Sequence, residues 1–450
     1  MNSVVRLASF PLRPLAQAAF LAAVGAALAG CDTWFGDVDP PLPGDRISIL
    51  QHQRELTPDP GLAGQRIILP RPTPNADWAQ AGGTANHAMH HILVGENLKR
   101  AWRVDIGAGA SSDERFVATP VIAGGRVFTM DVETMVTAFD EKTGDVLWEA
   151  ELTPDYEDDG HIGGGLAVEG NRVFVASGFG DAIALDAATG QEVWRVQMGG
   201  PMRTAPTVRG GRAFFITVDN KLSALAASDG RELWSFQSIE ETAAILGGAS
   251  PAVDGGVVVA PFSSGELVAL RVENGRVLWS DSLASIRRTT ELATLAHIRG
   301  RPVIDRGRVF AISHGGVLVA IDLRNGRRLW EQEVGGLQSP WVAGEYLFVL
   351  SDDARLLALS RNEGRIFWIN ELPRYEDPED RTGPIVWTGP VLTSDRLIVA
   401  GSHGEALAAS PYSGKLLGMV EMPDSVSVPP IVAGGAVFFL SDNADLTAYR

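Results

Sequence analysis

The sequence contains a single cysteine, Cys31, so no internal disulfide can form. It is also short of positive charge: 38 Lys and Arg against 55 Asp and Glu leave a net charge of −17. A nucleic-acid binder needs a basic face to neutralise phosphates, and this balance argues against that class. The same deficit argues against an anionic membrane surface as a direct partner. Long apolar runs are missing too; the most hydrophobic stretch, 15–28, is too short to span a bilayer comfortably. Neither a nucleophile elbow nor the paired carboxylates of a glycosidase are present. What the chain has in plenty is glycine and proline, 50 and 26 residues, beside a hydrophobic content of 45%. That combination fits a turn-rich β protein with ample core.

Residues 302–330, PVIDRGRVFAISHGGVLVAIDLRNGRRLW, hold three short apolar runs, each ended by a glycine or an Asp/Asn turn, and close on a Trp. The pattern recurs at 120–148, 206–234, 251–279 and 340–368, always with the Trp 28 positions after the Pro. Residues 165–194 open on Gly and span 29, while 390–418 keep the span of 28 and put Gly418 where the Trp would be. A fixed period of this length marks an array. No unit carries apolar residues at a 3.6-residue period, which excludes a helical solenoid.

Within 165–194, Leu166-Ala167-Val168 predicts a first strand and Gly170-Asn171 a two-residue hairpin turn. Strands follow over 172–177, 182–186 and 192–196. In the turn Asp186-Ala187-Ala188-Thr189-Gly190 the Asp can accept backbone N–H bonds while the Gly takes positive φ. Four antiparallel strands in equivalent units make a propeller blade. The Trp near each last strand (Trp148, Trp194, Trp234, Trp279, Trp330, Trp368) has the size to fill the wedge between neighbouring sheets, with its indole N–H reaching a carbonyl.

The last unit opens at Pro430 and stops at Arg450, one strand short. Residues 97–104, with Trp102 in the Trp position, read as the missing strand, and pairing the two pieces removes the open sheet edges. The predicted fold is all-β: an eight-bladed β-propeller of four-stranded blades over 96–450, closed by an N-terminal strand completing the C-terminal blade.

Ahead of the propeller, Arg6 and Arg13 precede the apolar stretch, which ends Leu28-Ala29-Gly30-Cys31 and resembles a bacterial lipobox. On that reading 1–30 is a lipoprotein signal peptide. Cys31 then carries the acyl chains, palmitate among them, that hold the protein on a membrane facing the periplasm. Asp32 resembles an inner-membrane retention signal of enteric bacteria; the outer membrane is the expected site. Residues 31–95, broken by prolines from Pro40 to Pro74, read as a Pro-rich tether and docking arm. His87, His90 and His91 have a spacing at which imidazoles can converge on a metal, but no cysteine or paired carboxylate nearby completes a site, so no metal is expected.

The connectors between units vary from 10 positions (Trp330 to Pro340) to 23 (Trp279 to Pro302). Propeller geometry brings them out on one face, and length variation confined to one face of a rigid scaffold points to binding there. The tips Asp155-Tyr156-Glu157-Asp158-Asp159 and Tyr375-Glu376-Asp377-Pro378-Glu379-Asp380 are acidic. Asp155, Asp158 and Asp159 lack the alternate spacing of a calcium loop and read as solvated. The connector after Trp279 is instead basic, with Arg287, Arg288, Arg299 and Arg301 against Asp281 and Glu291.

The recurring ending Ala-Leu/Phe-Asp-x-x-Thr/Asn-Gly-x-x-Leu-Trp resembles the quinoprotein-type (PQQ-like) repeat across 96–450. Two families share it. The pyrroloquinoline-quinone alcohol dehydrogenases would imply a vicinal cysteine disulfide, a Ca²⁺ site and a catalytic Asp; with one cysteine, a periplasmic PQQ-dependent dehydrogenase-like quinoprotein is the alternative reading. The lipobox, eight blades and ring closure resemble more closely the BamB family, propeller lipoproteins of the outer-membrane β-barrel assembly (BAM) complex. That resemblance implies a non-catalytic scaffold without cofactor that binds a POTRA domain of a BamA-like barrel-inserting subunit. Other assembly-complex lipoproteins and unfolded outer-membrane proteins are further implied partners. The loops 240–250 and 285–301 resemble the family's docking loops, implying Ala243, Ile245, Leu246, Arg287, Arg288, His297 and Arg299 as partner-binding residues. Ala243, Ile245 and Leu246 keep an apolar strip without the family's arginine, and His297 and Arg299 stand where acidic residues are expected.

Overall fold

Each blade is built around one row of side chains that crosses its sheet. In the second blade Phe174 pairs with Ala184 and Ala184 with Trp194, so a small residue lies between two aromatics. The rings meet over the alanine, with centroids 6.0 Å apart. The same Phe-Ala-Trp row crosses the first, third, fifth, sixth and eighth blades as Phe128-Ala138-Trp148, Phe214-Ala224-Trp234, Phe310-Ala320-Trp330, Phe348-Ala358-Trp368 and Phe438-Ala448-Trp102. Val259 replaces the Phe in the fourth, and the seventh carries Ile398-Ala408-Gly418.

The computed structural model describes residues 56–111, 114–154, 163–241, 246–284 and 297–450. Among them are eight four-stranded antiparallel sheets, arranged as the blades of a propeller. Blades 1–7 open on the inner strands Val121–Ala123, Gly165–Glu169, Thr207–Arg209, Ala252–Asp254, Val303–Asp305, Trp341–Ala343 and Trp387–Thr393. Their outer strands are Val146–Glu151, Glu192–Gln197, Glu232–Gln237, Val277–Ser282, Arg328–Gln332, Ile366–Glu371 and Leu416–Glu421. Blade 8 joins Ile431–Ala433, Ala436–Leu440 and Asp445–Tyr449 to Arg100–Asp105 as its outer strand. The closing strand starts three residues later than the expected 97, although Lys99 and Arg450 still exchange backbone bonds of 2.7 and 2.9 Å. The acidic tip at 375–380 lies in a small extra hairpin, Tyr375–Asp377 with Thr382–Pro384.

Adjacent blades are latched by the tryptophans. Trp102, Trp148, Trp194, Trp234, Trp279, Trp330 and Trp368 donate to the carbonyls of Glu141, Ala187, Ala227, Val272, Leu323, Arg361 and Pro411, at 2.8–3.2 Å. Every acceptor sits at the start of the turn before the next blade's outer strand. The glycine of that turn lies under the indole. At Gly364, φ is +69°, and a Cβ would come 2.6 Å from Trp330 Cε3. The glycine thus serves both the turn's left-handed geometry and the close approach of the ring.

The junction from blade 7 to blade 8 has no such latch. Gly418 stands in the Trp position, opposite Ala408. A cavity of about 630 Å³ opens there, bordered by Leu417, Met419, Val437 and Phe439. At the next junction Arg450 Nη2 donates to the Glu141 carbonyl at 2.7 Å, the carbonyl that Trp102 also reaches.

The stretch expected as a tether runs, from Thr57 onward, against the propeller. Asp59 pairs with Arg365 at the start of blade 6's outer strand (2.7 Å), and Pro70 packs on Gly344. Residues 75–92 then make a full circuit of the ring axis. Gly434 of blade 8 donates to Asn75 O, Ile122 of blade 1 to Trp78 O, and Val168 of blade 2 to Ala79 O. Val208 of blade 3 donates to the Gln80 side chain, Val253 of blade 4 to Ala85 O, and Ile304 of blade 5 to Asn86 O. Trp341 of blade 6 donates its indole N–H to His90 O, and Ser394, just past the inner strand of blade 7, donates its backbone N–H to Ile92 O. Buried N–H groups need partners, and this strap supplies them to all eight blades in turn, to a backbone N–H in seven and to the Trp341 indole in the sixth. Trp78 stacks on Trp341, ring centroids 6.2 Å apart, and is 4% exposed.

Two glycine substitutions separate the latch from ordinary strand chemistry. Gly364→Ala forces a Cβ into Trp330 at positive φ and should cost about 2–4 kcal/mol. Gly418→Ala meets nothing within 4 Å and should stay within about 1 kcal/mol of the parent. Urea unfolding measures both; equal costs would contradict the latch.

Candidate docking site

The chain that leaves each outer strand must return to the axis to start the next blade, and two of the longer returns are those before blades 4 and 5. Their described ends meet. Leu246 is half-buried, and Gly247, at φ +85°, lies so close to Arg299 that a Cβ there would be 3.1 Å from Nε. Val117, just ahead of blade 1, faces the same glycine, 3.6 Å from where its Cβ would be. The parts of both loops nearest the axis therefore share one patch.

That patch borders a cavity of about 80 Å³ at the axis. Its floor is the strap, through Trp78, Ala81, Gly82 and His87; its wall is formed by the residues that precede the inner strands, Arg299 and Arg301 among them. Arg301 is fixed from two sides. Its Nη2 donates to Ala81 O at 2.9 Å, and its backbone N–H donates to Ser339 Oγ at 2.9 Å.

Burial, with the neighbouring Arg299, pushes Arg301 down to about 10, still protonated at neutral pH. Arg299 is lowered by burial, against the pull of Asp352. Asp352 in turn bonds His314 Nδ1 at 2.8 Å and raises that imidazole. His297 differs from the expectation of a surface contact. Its ring is 3% exposed, and burial, then Arg299 and His314, push it down to about 4, so it presents no charge to a partner at neutral pH.

The three histidines of the strap point apart. His87 Nδ1 bonds Pro302 O at 2.8 Å, His91 sits between the carbonyls of Pro70 and Ser394, and His90 lies 3.7 Å from Asp305. Among the described residues no group of three His, Cys, Asp or Glu could hold a metal ion. Cys31, Ala243, Ile245, Arg287, Arg288 and the acidic tip at 155–159 lie outside the described residues. Sequence reasoning weighed His87 only as one of a histidine cluster and did not assign it to this site. Gly247 and Gly248 were missed, and the adjacent pair of glycines in a long connector was the available signal.

A closed ring of Trp-bearing, four-stranded units is the PQQ-like class of β-propeller. A family model described as outer membrane protein assembly factor BamB matches residues 95–159 and 132–370, and the chain belongs to that family. Curated relatives bear the same description. That of Moranella endobia is 23% identical over 356 residues, covering 78% of this chain and 89% of the relative. That of Escherichia coli is 26% identical over 345 residues, covering 74% and 84%. Among solved structures, BamB of Moraxella catarrhalis matches with a TM-score of 0.68 at 18% identity, over 79% of this chain and all of that one. A quinohemoprotein alcohol dehydrogenase of Comamonas testosteroni matches with 0.63 at 15% identity, over 83% and 80%. Both structural likenesses concern the fold alone.

His87 makes the junction of strap and propeller sensitive to pH. Burial, then Arg301, hold it down to about 3, and its Nε2 is buried without a partner. Between that value and the ordinary 6.5 or so, the unfolded chain binds more protons than the folded one. The contribution of His87 to stability is therefore full above about pH 6.5 and is lost as pH falls toward 3; His297 acts likewise toward 4. The urea midpoint should drop between about pH 7.5 and 5, and His87→Asn, which keeps a donor toward Pro302, should shrink that drop. An undiminished drop in the variant would show that His87 is not the group responsible.

Proposed function

We propose that this protein is a non-catalytic scaffold lipoprotein of outer-membrane β-barrel assembly, facing the periplasm, which binds a POTRA domain of a BamA-like barrel-inserting subunit through its connector face. The convergence of the returns before blades 4 and 5 on one axial patch, at Gly247 and Arg299, carries this reading. Family membership supports the assembly role, since the relatives are described as outer membrane protein assembly factors. The Leu28-Ala29-Gly30-Cys31 sequence supports an acyl anchor at Cys31. A scaffold reading also suits the axis, where the strap packs against all eight inner strands. The likeness to the alcohol dehydrogenase rests on the propeller, and the one cysteine leaves no vicinal disulfide.

In this account Leu246 supplies apolar contact area and Arg299 the charge, while the rigid ring keeps both in register and the anchor holds them near the membrane. Ala243, Ile245, Arg287 and Arg288 extend the same two loops. Replacing Leu246 and Arg299 together by Glu should reduce co-purification of the barrel-inserting subunit at least tenfold, by roughly 1.4 kcal/mol or more. The melting transition of the variant should stay cooperative. Full recovery of the partner would count against this face.

A further inference from the structure

The axial cavity has charged groups of one sign only. Among the described residues Arg299 and Arg301 reach it and no carboxylate lines it, in a chain whose net charge is −17. Asp352, which acts on Arg299, is already bonded to His314 at 2.8 Å. Among the described residues Arg301 has one side-chain hydrogen bond, to Ala81 O, and its Nε is buried with no partner there. Holding two like charges beside one small cavity is costly unless an anion joins them. A guanidinium is a planar fork of N–H donors matched to a carboxylate, and such charge-assisted pairs are among the stronger hydrogen bonds.

The surroundings are preorganised for a ligand of that kind. Arg301 is anchored on both its backbone and its guanidinium, and Arg299 is pressed against Gly247, whose missing side chain leaves the guanidinium its place. The volume of about 80 Å³ takes a carboxylate with a methylene or two, not a ring or a nucleotide. The other polar side chains on the wall are neutral, Thr119, Gln338, Ser339 and Ser427 besides His87, so a monoanion is matched better than a phosphate dianion.

We propose that the axial cavity of the connector face is a carboxylate-binding site in which Arg299 and Arg301 hold one carboxylate. Its source is either an acidic side chain presented by a docked protein or a free small carboxylate. The site is a property of this chain alone, so its test does not depend on the docking partner named above.

The test uses the purified full chain in detergent, titrated by calorimetry with acetate, N-acetylglutamate amide, N-acetylglutamine amide and inorganic phosphate. The expected result is millimolar binding of the glutamate compound, of acetate or of both, with no binding of the glutamine compound. Arg299→Gln should weaken that binding roughly tenfold or more. Arg301→Lys keeps the charge and loses the fork, and should weaken it less. Binding of the glutamate compound without acetate assigns the site to a partner's side chain; the reverse assigns it to a free carboxylate. Binding of neither, phosphate binding tighter than both, or unchanged affinity in folded Arg299→Gln would each overturn the proposal.

Discussion

Eight inner strands turn one edge toward the ring axis, and the backbone groups on that edge must find partners. Here one segment of the same chain meets them. Residues 75–92 pass blades 8, 1, 2, 3, 4, 5, 6 and 7 in order and bond to each. Because an unpaired buried amide costs about 1–3 kcal/mol, the strap is as much part of the fold as any strand. It also ties together blades that are far apart in sequence, so the ring is closed twice: at its outside by Arg100–Asp105 and at its axis by the strap.

The indole latches work at right angles to that closure, joining each outer strand to the following turn. Among the described residues the latch is missing between blades 7 and 8, where Gly418 replaces the Trp. Strap and latches together hold the connectors in place. The connector face can then vary in length and charge without altering the ring, and its axial cavity inherits a fixed floor from Trp78 and His87.

The ring was legible because its determinants are side chains repeated at a fixed interval. The Trp that closes each unit, the glycine of each turn and the position of Trp102 follow the period, and eight blades with a shared last one could be counted from them. The strap was not legible, for a physical reason. Its partners, the Trp341 indole apart, are backbone N–H groups, which no residue type announces, and its prolines and irregular spacing read equally well as a loose arm. His297 shows the same limit at the site. Its place in a basic connector suggested a surface contact, whereas packing near blade 5 buries it at 3% exposure and keeps it neutral. Arg299 and Gly247 are far apart in sequence, so their shared patch appears only when the ring is closed.

The central claim is that a partner docks on the connector face, over the strap. Hydrogen exchange of the full chain, alone and with the periplasmic domains of the barrel-inserting subunit, tests it most directly. The account predicts slowed exchange at 246–249 and 297–301, and no change in the turns that receive the indoles, such as 187–190 and 361–364. Protection confined to those turns, or to the exposed outer strand Leu416–Glu421, would contradict it.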